Sequence, residues 1–325
     1  MIDQVAPDIP VTLTARSGHA TWSNSLALAR ANITRDTPNP SGGEIQRDAG
    51  GKPTGVLFDE ALKLVQNVIP PMPVAELAAK MEQTIASMNH VGVTGFHDFD
   101  GSDSFRALQV LNEQNRLSLR VVKNILVSFL DDAIRLGLHT GFGDDFLRIG
   151  SIKIFADGAL GSRTGATLEP YEGDTGNRGI VVTEKEELVQ FASQASLNGL
   201  TCAIHAIGDR AVHDVLDAYE SVRMIENEKG ISPNSRRHRM EHVQLIHPDD
   251  APRLGKLGII ASMQPIHATS DMYMADQYWG ARAAYSYNWR LQLDHGAMLA
   301  FGSDAPVESI NPFLGIHTAV TRRRA

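Results

Sequence analysis

With 325 residues, 42% of them hydrophobic, the chain is long enough for one large barrel-type domain or two ordinary ones and can bury a sizeable core. A net charge of −8, from 30 basic against 38 acidic residues, gives no electrostatic reason to expect nucleic acid or an anionic membrane as partner. The single cysteine, Cys202, excludes a disulfide within the chain; with no run of about 18 apolar residues and no basic-then-apolar start, the reading is a soluble, cytoplasmic protein.

In chain order, VTLTAR (11–16) reads as a strand and SGHATWSNSLALARA as a loop running into a short helix. The Pro- and Gly-rich stretch 36–53 reads as loop or hairpin, and VLFDEALKLVQNVI as a helix ended by Pro70, Pro71 and Pro73. From Val74 the rhythm becomes regular. Helices over 74–92, 103–116, near 131–138, 184–198, 210–227, 248–256 and 289–295 alternate with apolar strands containing His97, Val122, Lys153, His205, His242, Ile260 and the run AMLAFGSD. Seven strands alternating with helices predict a parallel sheet in an α/β architecture, one strand short of a closed eight-stranded barrel.

Four of these strands each deliver one potential metal ligand near the carboxyl end: Lys153 in SIKIFADG, His205 in TCAIHAIGD, His242 in RHRMEHVQ and Asp304 in AMLAFGSDAP. Ligands recurring at successive strand ends are what a barrel uses to aim several side chains at one ion. Two neutral imidazoles and a carboxylate suit a divalent cation such as zinc. An ammonium cannot ligate, but the carbamate formed from a neutral lysine and carbon dioxide can, and burial favours the neutral amine. Such a cation makes hydroxide available at neutral pH, and Asp304 is placed to accept the proton and return it to a leaving nitrogen. Taken singly, each residue has a plainer reading: a structural histidine, a turn or cap carboxylate, a lysine with its stem buried.

His97 and His267 follow other strands and are candidate substrate contacts, as is Arg163 in the Gly-rich GALGSRTG loop, a natural partner for a substrate carboxylate. His19 and Trp22 in SGHATW are candidates for the roof of the site. Asp209 reads most simply as the N-cap of the following helix.

Together, KIFADGALGSRTGA, IHAIGDRAV, RMEHVQ, MQPIHATSD and FGSDAPVES resemble the amidohydrolase superfamily, within it amidohydrolase family 3 and its N-substituted formamide deformylase-like hydrolases. The resemblance covers nearly the whole chain. It implies a TIM-type (β/α)8 barrel over 74–325, with 1–73 as a family-specific insertion packing over the barrel mouth. By motif it implies Lys153, His205, His242 and Asp304 as metal ligands, zinc as the metal (one or two ions in the parent enzyme), and hydrolysis of amide or formamide C–N bonds in a small-molecule substrate. The family's His-x-His pair on the first barrel strand has no counterpart in these residues. The expectation is therefore an internal fragment, truncated at both ends, binding one ion weakly or none, whose open sheet edges are covered by VTLTAR or by a second copy in a homo-oligomer. The competing readings are a barrel lyase using Lys153 as a Schiff-base nucleophile and a catalytically inert ligand-binding fragment.

Overall fold

The computed structural model describes residues 2–15 and 18–324. Eleven strands among these residues form two sheets. The first four are β1 (Thr12–Thr14), β2 (Ala20–Ser23), β3 (Gly43–Arg47) and β4 (Pro53–Asp59), paired antiparallel in the order β1-β2-β4-β3. The other seven are β5 (Gly95–Asp98), β6 (Arg120–Leu126), β7 (Leu147–Phe155), β8 (Thr201–Ala206), β9 (Arg239–His242), β10 (Ile260–Met263) and β11 (Leu299–Phe301). They run parallel in sequential order from β5 to β11, each step crossing over through helical segments, as a barrel requires.

Seven of eight barrel strands give a curled half-barrel. Its curvature is visible in one contact: Arg239 on β9 donates from Nη1 to His97 Nδ1 on β5, four strands away, at 3.0 Å across the concave face. On the convex face, Ile152 and Ile154 of β7, Cys202 and Ile204 of β8 and Met240 of β9 pack against Leu188, Val212, Leu216 and Tyr219 of the covering helices. The period-2 alternation of a strand leaves the intervening Lys153, Ala203 and His205 for the concave face. A second cluster around Leu108, Leu111 and Val121 closes the β5–β6 end.

The four-stranded sheet has its own small core of Ile45, Leu57, Leu62 and Val65. Here the sequence reading needs two corrections. VLFD belongs to β4, not to a helix, and only Leu62–Gln66 is helical, because β4 is held on both sides by β2 and β3 and pairing overrides helical spacing. The described residues of VTLTAR contribute β1 to this sheet and pair with no strand of the half-barrel. Gly55 marks where β4 crosses β2 closely, at φ +99° with the Ser23 carbonyl 2.3 Å from where a Cβ would stand. No described helix is long and apolar enough to cross a membrane.

Candidate metal centre

At the carboxyl ends of the strands, one ligand atom from each of His242, His267 and Asp304 lies within 4.8 Å of the others. His242 ends β9, His267 opens the short helix His267–Ser270 after β10, and Asp304 follows β11. The backbone is bent to bring two of them in. His242 has φ +75° and Asp304 φ +54°, left-handed conformations that non-glycine residues rarely adopt. At His242 the kink matters directly, because strand alternation would turn it away from the face that Glu241 occupies. Each such conformation costs on the order of 1–3 kcal/mol and persists only where surrounding contacts enforce it.

Hydrogen bonds fix which nitrogen each imidazole offers. His242 Nδ1 meets the Gln264 side-chain oxygen at 2.8 Å; an amide oxygen only accepts, so the proton is on Nδ1 and the lone pair on Nε2. His205 is the reverse. Its Nε2 donates to the Gly158 carbonyl at 2.8 Å, leaving Nδ1 with the lone pair. Burial holds His205 well below the usual imidazole range, reinforced by His242 and Lys153, and burial brings His242 down to about 4. Both rings are therefore neutral and ligand-competent at pH 7. His267 is the exception: burial opposes its charge, but Asp304 (3.6 Å) and Glu308 (3.2 Å) outweigh it and lift the ring to about 9. Asp304 itself is pulled below the carboxylate range, since His267 and His242 outweigh the cost of its burial.

Lys153, 4% exposed, places its Nζ 4.5 Å from the Phe155 ring and 4.9 Å from the Phe99 ring. Burial lowers it to about 8, against the pull of Glu241 and Asp304. A substantial share of neutral amine follows at mildly alkaline pH. Glu241, which lies on the same concave face, is itself held by the Arg239 fork at 2.8 and 3.0 Å.

Four imidazoles stand in a row. Ring centroids are 5.5 Å apart for His19–His205, 4.6 Å for His205–His242 and 6.3 Å for His242–His267. His19 comes from the β1–β2 turn of the small sheet, with Nδ1 2.7 Å from Asp59 at the end of β4. The structure brings together the candidates His19, Lys153, His205, His242, His267 and Asp304, with His267, a candidate substrate contact in the sequence, among the three tightly grouped residues. The other candidates have different partners. His97 faces Arg239; Arg163 pairs with Asp174 at 3.3 Å and stacks on Tyr278; Trp22 borders a cleft of about 230 Å³ with Asp3, Ser25 and Lys52. Asp209 is the first residue of the helix Asp209–Glu228, after Gly208 as N-cap, and accepts from the Leu168 N–H.

Two residues of consequence escaped sequence reasoning: Gln264, the partner of His242, and Asp157, buried behind His205, where burial opposes ionisation and the backbone N–H groups of Gly208, Ile207 and Ala166 favour it. Asp157 directly follows the strand-end ligand pattern in KIFADG, which is the only signal of it in the text.

The Amidohydrolase family matches residues 1–325 in full. The chain belongs to the amidohydrolase family. It is 33% identical over 329 residues to the putative amidohydrolase YtcJ of Bacillus subtilis, covering 99% of this chain and 60% of that protein. It is 29% identical over 357 residues to the N-substituted formamide deformylase of Arthrobacter pascens, with 99% and 60% covered. The crystal structure of an uncharacterized metal-dependent hydrolase from Pyrococcus furiosus superposes with a TM-score of 0.77 at 29% identity, over 100% of this chain and 64% of the other. The chain therefore spans about three fifths of the length of the relatives it matches.

Proposed function

We propose that this amidohydrolase carries a metal-dependent hydrolytic site that cleaves the C–N bond of a small N-acyl or formamide-type substrate. The observation that carries this reading is the convergence of His242, His267 and Asp304 at strand ends. The donor set fits a divalent cation: the Nε2 lone pair of His242 and the carboxylate of Asp304 are of the type that zinc takes, with His205 and Lys153 adjacent. A bound zinc ion would supply Lewis acidity and a water ionised near neutral pH.

The side chains do the rest. Asp304, ionised at neutral pH, accepts the proton as the water oxygen attacks the carbonyl and passes it to the departing nitrogen. Binding of a cation beside Asp304 requires His267 to give up the Nε2 proton that faces Asp304, while Nδ1 keeps the one directed at Glu308. Lys153 supplies an oxygen donor only after modification: its neutral amine bonds to carbon dioxide and releases one proton, forming a carbamate. His19 stands where it can touch substrate, while Arg163 and Trp22 have contacts elsewhere.

Metal content and turnover test the reading. The purified chain is expected to take up close to one equivalent of zinc and to release formate from N-butylformamide, with Asp304→Asn losing about 10²-fold or more in kcat. No zinc uptake by wild type, or turnover unaffected by a chelator, would sink it.

A further inference from the structure

Asp157 is fully buried, and among the described residues no lysine or arginine pairs with it. Its oxygens are occupied by backbone N–H groups instead. Oδ1 accepts from Ile207 at 3.0 Å, and Oδ2 accepts from Ala166 and from Gly208 at 2.8 Å each. These donors come from two different loops, the one after β7 and the one after β8. One side chain thus ties together the segments on either side of His205.

The packing around that tie leaves little freedom. A Cβ at Gly158 would stand 2.1 Å from Thr164 Oγ1, and one at Gly208 would stand 1.9 Å from the Ala166 carbonyl. The Gly158 N–H donates to the Thr164 carbonyl at 3.2 Å, and the Ala159 N–H to Thr164 Oγ1 at 3.0 Å. Held on both sides, the Gly158 carbonyl has a fixed direction, and it receives His205 Nε2–H at 2.8 Å, with Asp157 Oδ1 3.4 Å from the same nitrogen. We propose that Asp157 is a positioning residue of the metal centre: by pinning the loops after β7 and β8 to each other, it holds the Gly158 carbonyl against His205 and keeps Nδ1 as the nitrogen offered to a cation. The role toward a cation rests on the metal-hydrolase reading above, whereas the His205 tautomer exists without metal.

An amide at position 157 would set at least one N–H against a backbone N–H, so Asp157→Asn breaks the tie at nearly constant size. The experiment is a pair of measurements on wild type, Asp157→Asn and Asp157→Ala. Nitrogen-15 spectra of the histidines in metal-free protein read the tautomer, and competition with a chelator reads zinc affinity. Wild type is expected to show His205 protonated on Nε2. The variants are expected to show a mixture of tautomers and a zinc Kd raised about 10-fold or more. His205 carrying its proton on Nδ1 in wild type, or an unchanged tautomer with unchanged zinc Kd in folded variants, overturns the assignment and leaves Asp157 a purely structural tie. If neither variant folds, amide exchange in wild type decides: joint opening of Ala166, Ile207 and Gly208 with the His205 Nε2–H supports it, and independent opening overturns it. A wild-type protein that binds no zinc removes the metal reading alone, since the tautomer is still measured.

Discussion

His242 and Gln264 are locked by direction as well as distance. The Gln264 oxygen takes the His242 Nδ1 proton at 2.8 Å while its own NH2 donates to the Ser262 carbonyl at 3.3 Å, so the amide has one productive orientation. Outer partners of metal-binding histidines typically affect affinity by about 10–100-fold. Gln264→Leu is expected to weaken zinc binding within that range, and Gln264→Glu, which keeps an acceptor, to retain most of it. Chelator competition on the two variants checks the difference.

Lys153 provides a stability test with a defined sign. Its pKa is lowered on folding, from 10.5 to about 8, so burying the charged form is a penalty. That penalty is present in full below about 8 and fades as pH rises towards 10.5, where the unfolded chain also loses the proton. In metal-free protein, Lys153→Met is therefore expected to raise stability at pH 7 by roughly 1–3 kcal/mol, with the gain shrinking in alkali. Urea midpoints at the two ends of that window measure it; a variant less stable than wild type at pH 7 contradicts it.

Away from the candidate metal centre, Glu226 is buried at the amino end of the half-barrel and accepts from His238 Nε2 at 2.9 Å and from Arg223 at 2.6 Å. Its burial opposes ionisation, but bonds from His238, Ser196 and Arg223 outweigh that and lower it from 4.5 to about 2. The stabilisation is complete above 4.5 and is lost as pH falls towards 2. Glu226→Gln should be less stable than wild type by roughly 2–4 kcal/mol at pH 6, and the gap should close in acid. A gap that persists at low pH would mean that lost packing, not charge, sets the cost.

The buried pair of Lys123 and Asp98, with Ser104 donating to Asp98 at 3.1 Å, fastens β5 and β6 to the helix Ser102–Glu113. Removing one partner leaves a buried charge, so Lys123→Met is expected to cost about 3–5 kcal/mol, and adding Asp98→Leu to recover part of it. Zinc stoichiometry of the folded variants should not change. Denaturation and metal analysis on the single and double variants give both readouts.

The half-barrel was legible because each of its strands is a short apolar run stopped by Gly, Asp or Pro, and a buried parallel strand leaves that mark in local text. His205, His242 and Asp304 were legible for the same reason, as polar residues placed where such runs end. The four-stranded sheet was legible only in part, at β1 within VTLTAR and in the hairpin reading that holds β3. VLFD flows into EALKLVQ without a break, and only its pairing with β2 and β3, contacts made at a distance in sequence, makes it a strand. His267 is legible only as a residue near the cavity, because it lies beyond the end of β10 and its approach to Asp304 depends on the loop geometry after Gln264. Gln264 itself, an uncharged residue before proline, carries no chemical signal until the ring of His242 is seen against it.

The imidazole row has a consequence for how the protein meets acid. His205, His242 and His267, with neighbouring ring centroids 4.6 and 6.3 Å apart, cannot each take a proton independently, since the first cation formed repels the next. Acidification of the ion-free molecule should therefore charge His205 and His242 reluctantly, well below the usual imidazole range, because His267 beside them already carries its proton at pH 7. The same self-repulsion makes a lone multivalent guest, which satisfies several nitrogens with one centre of charge, the economical way to fill that space.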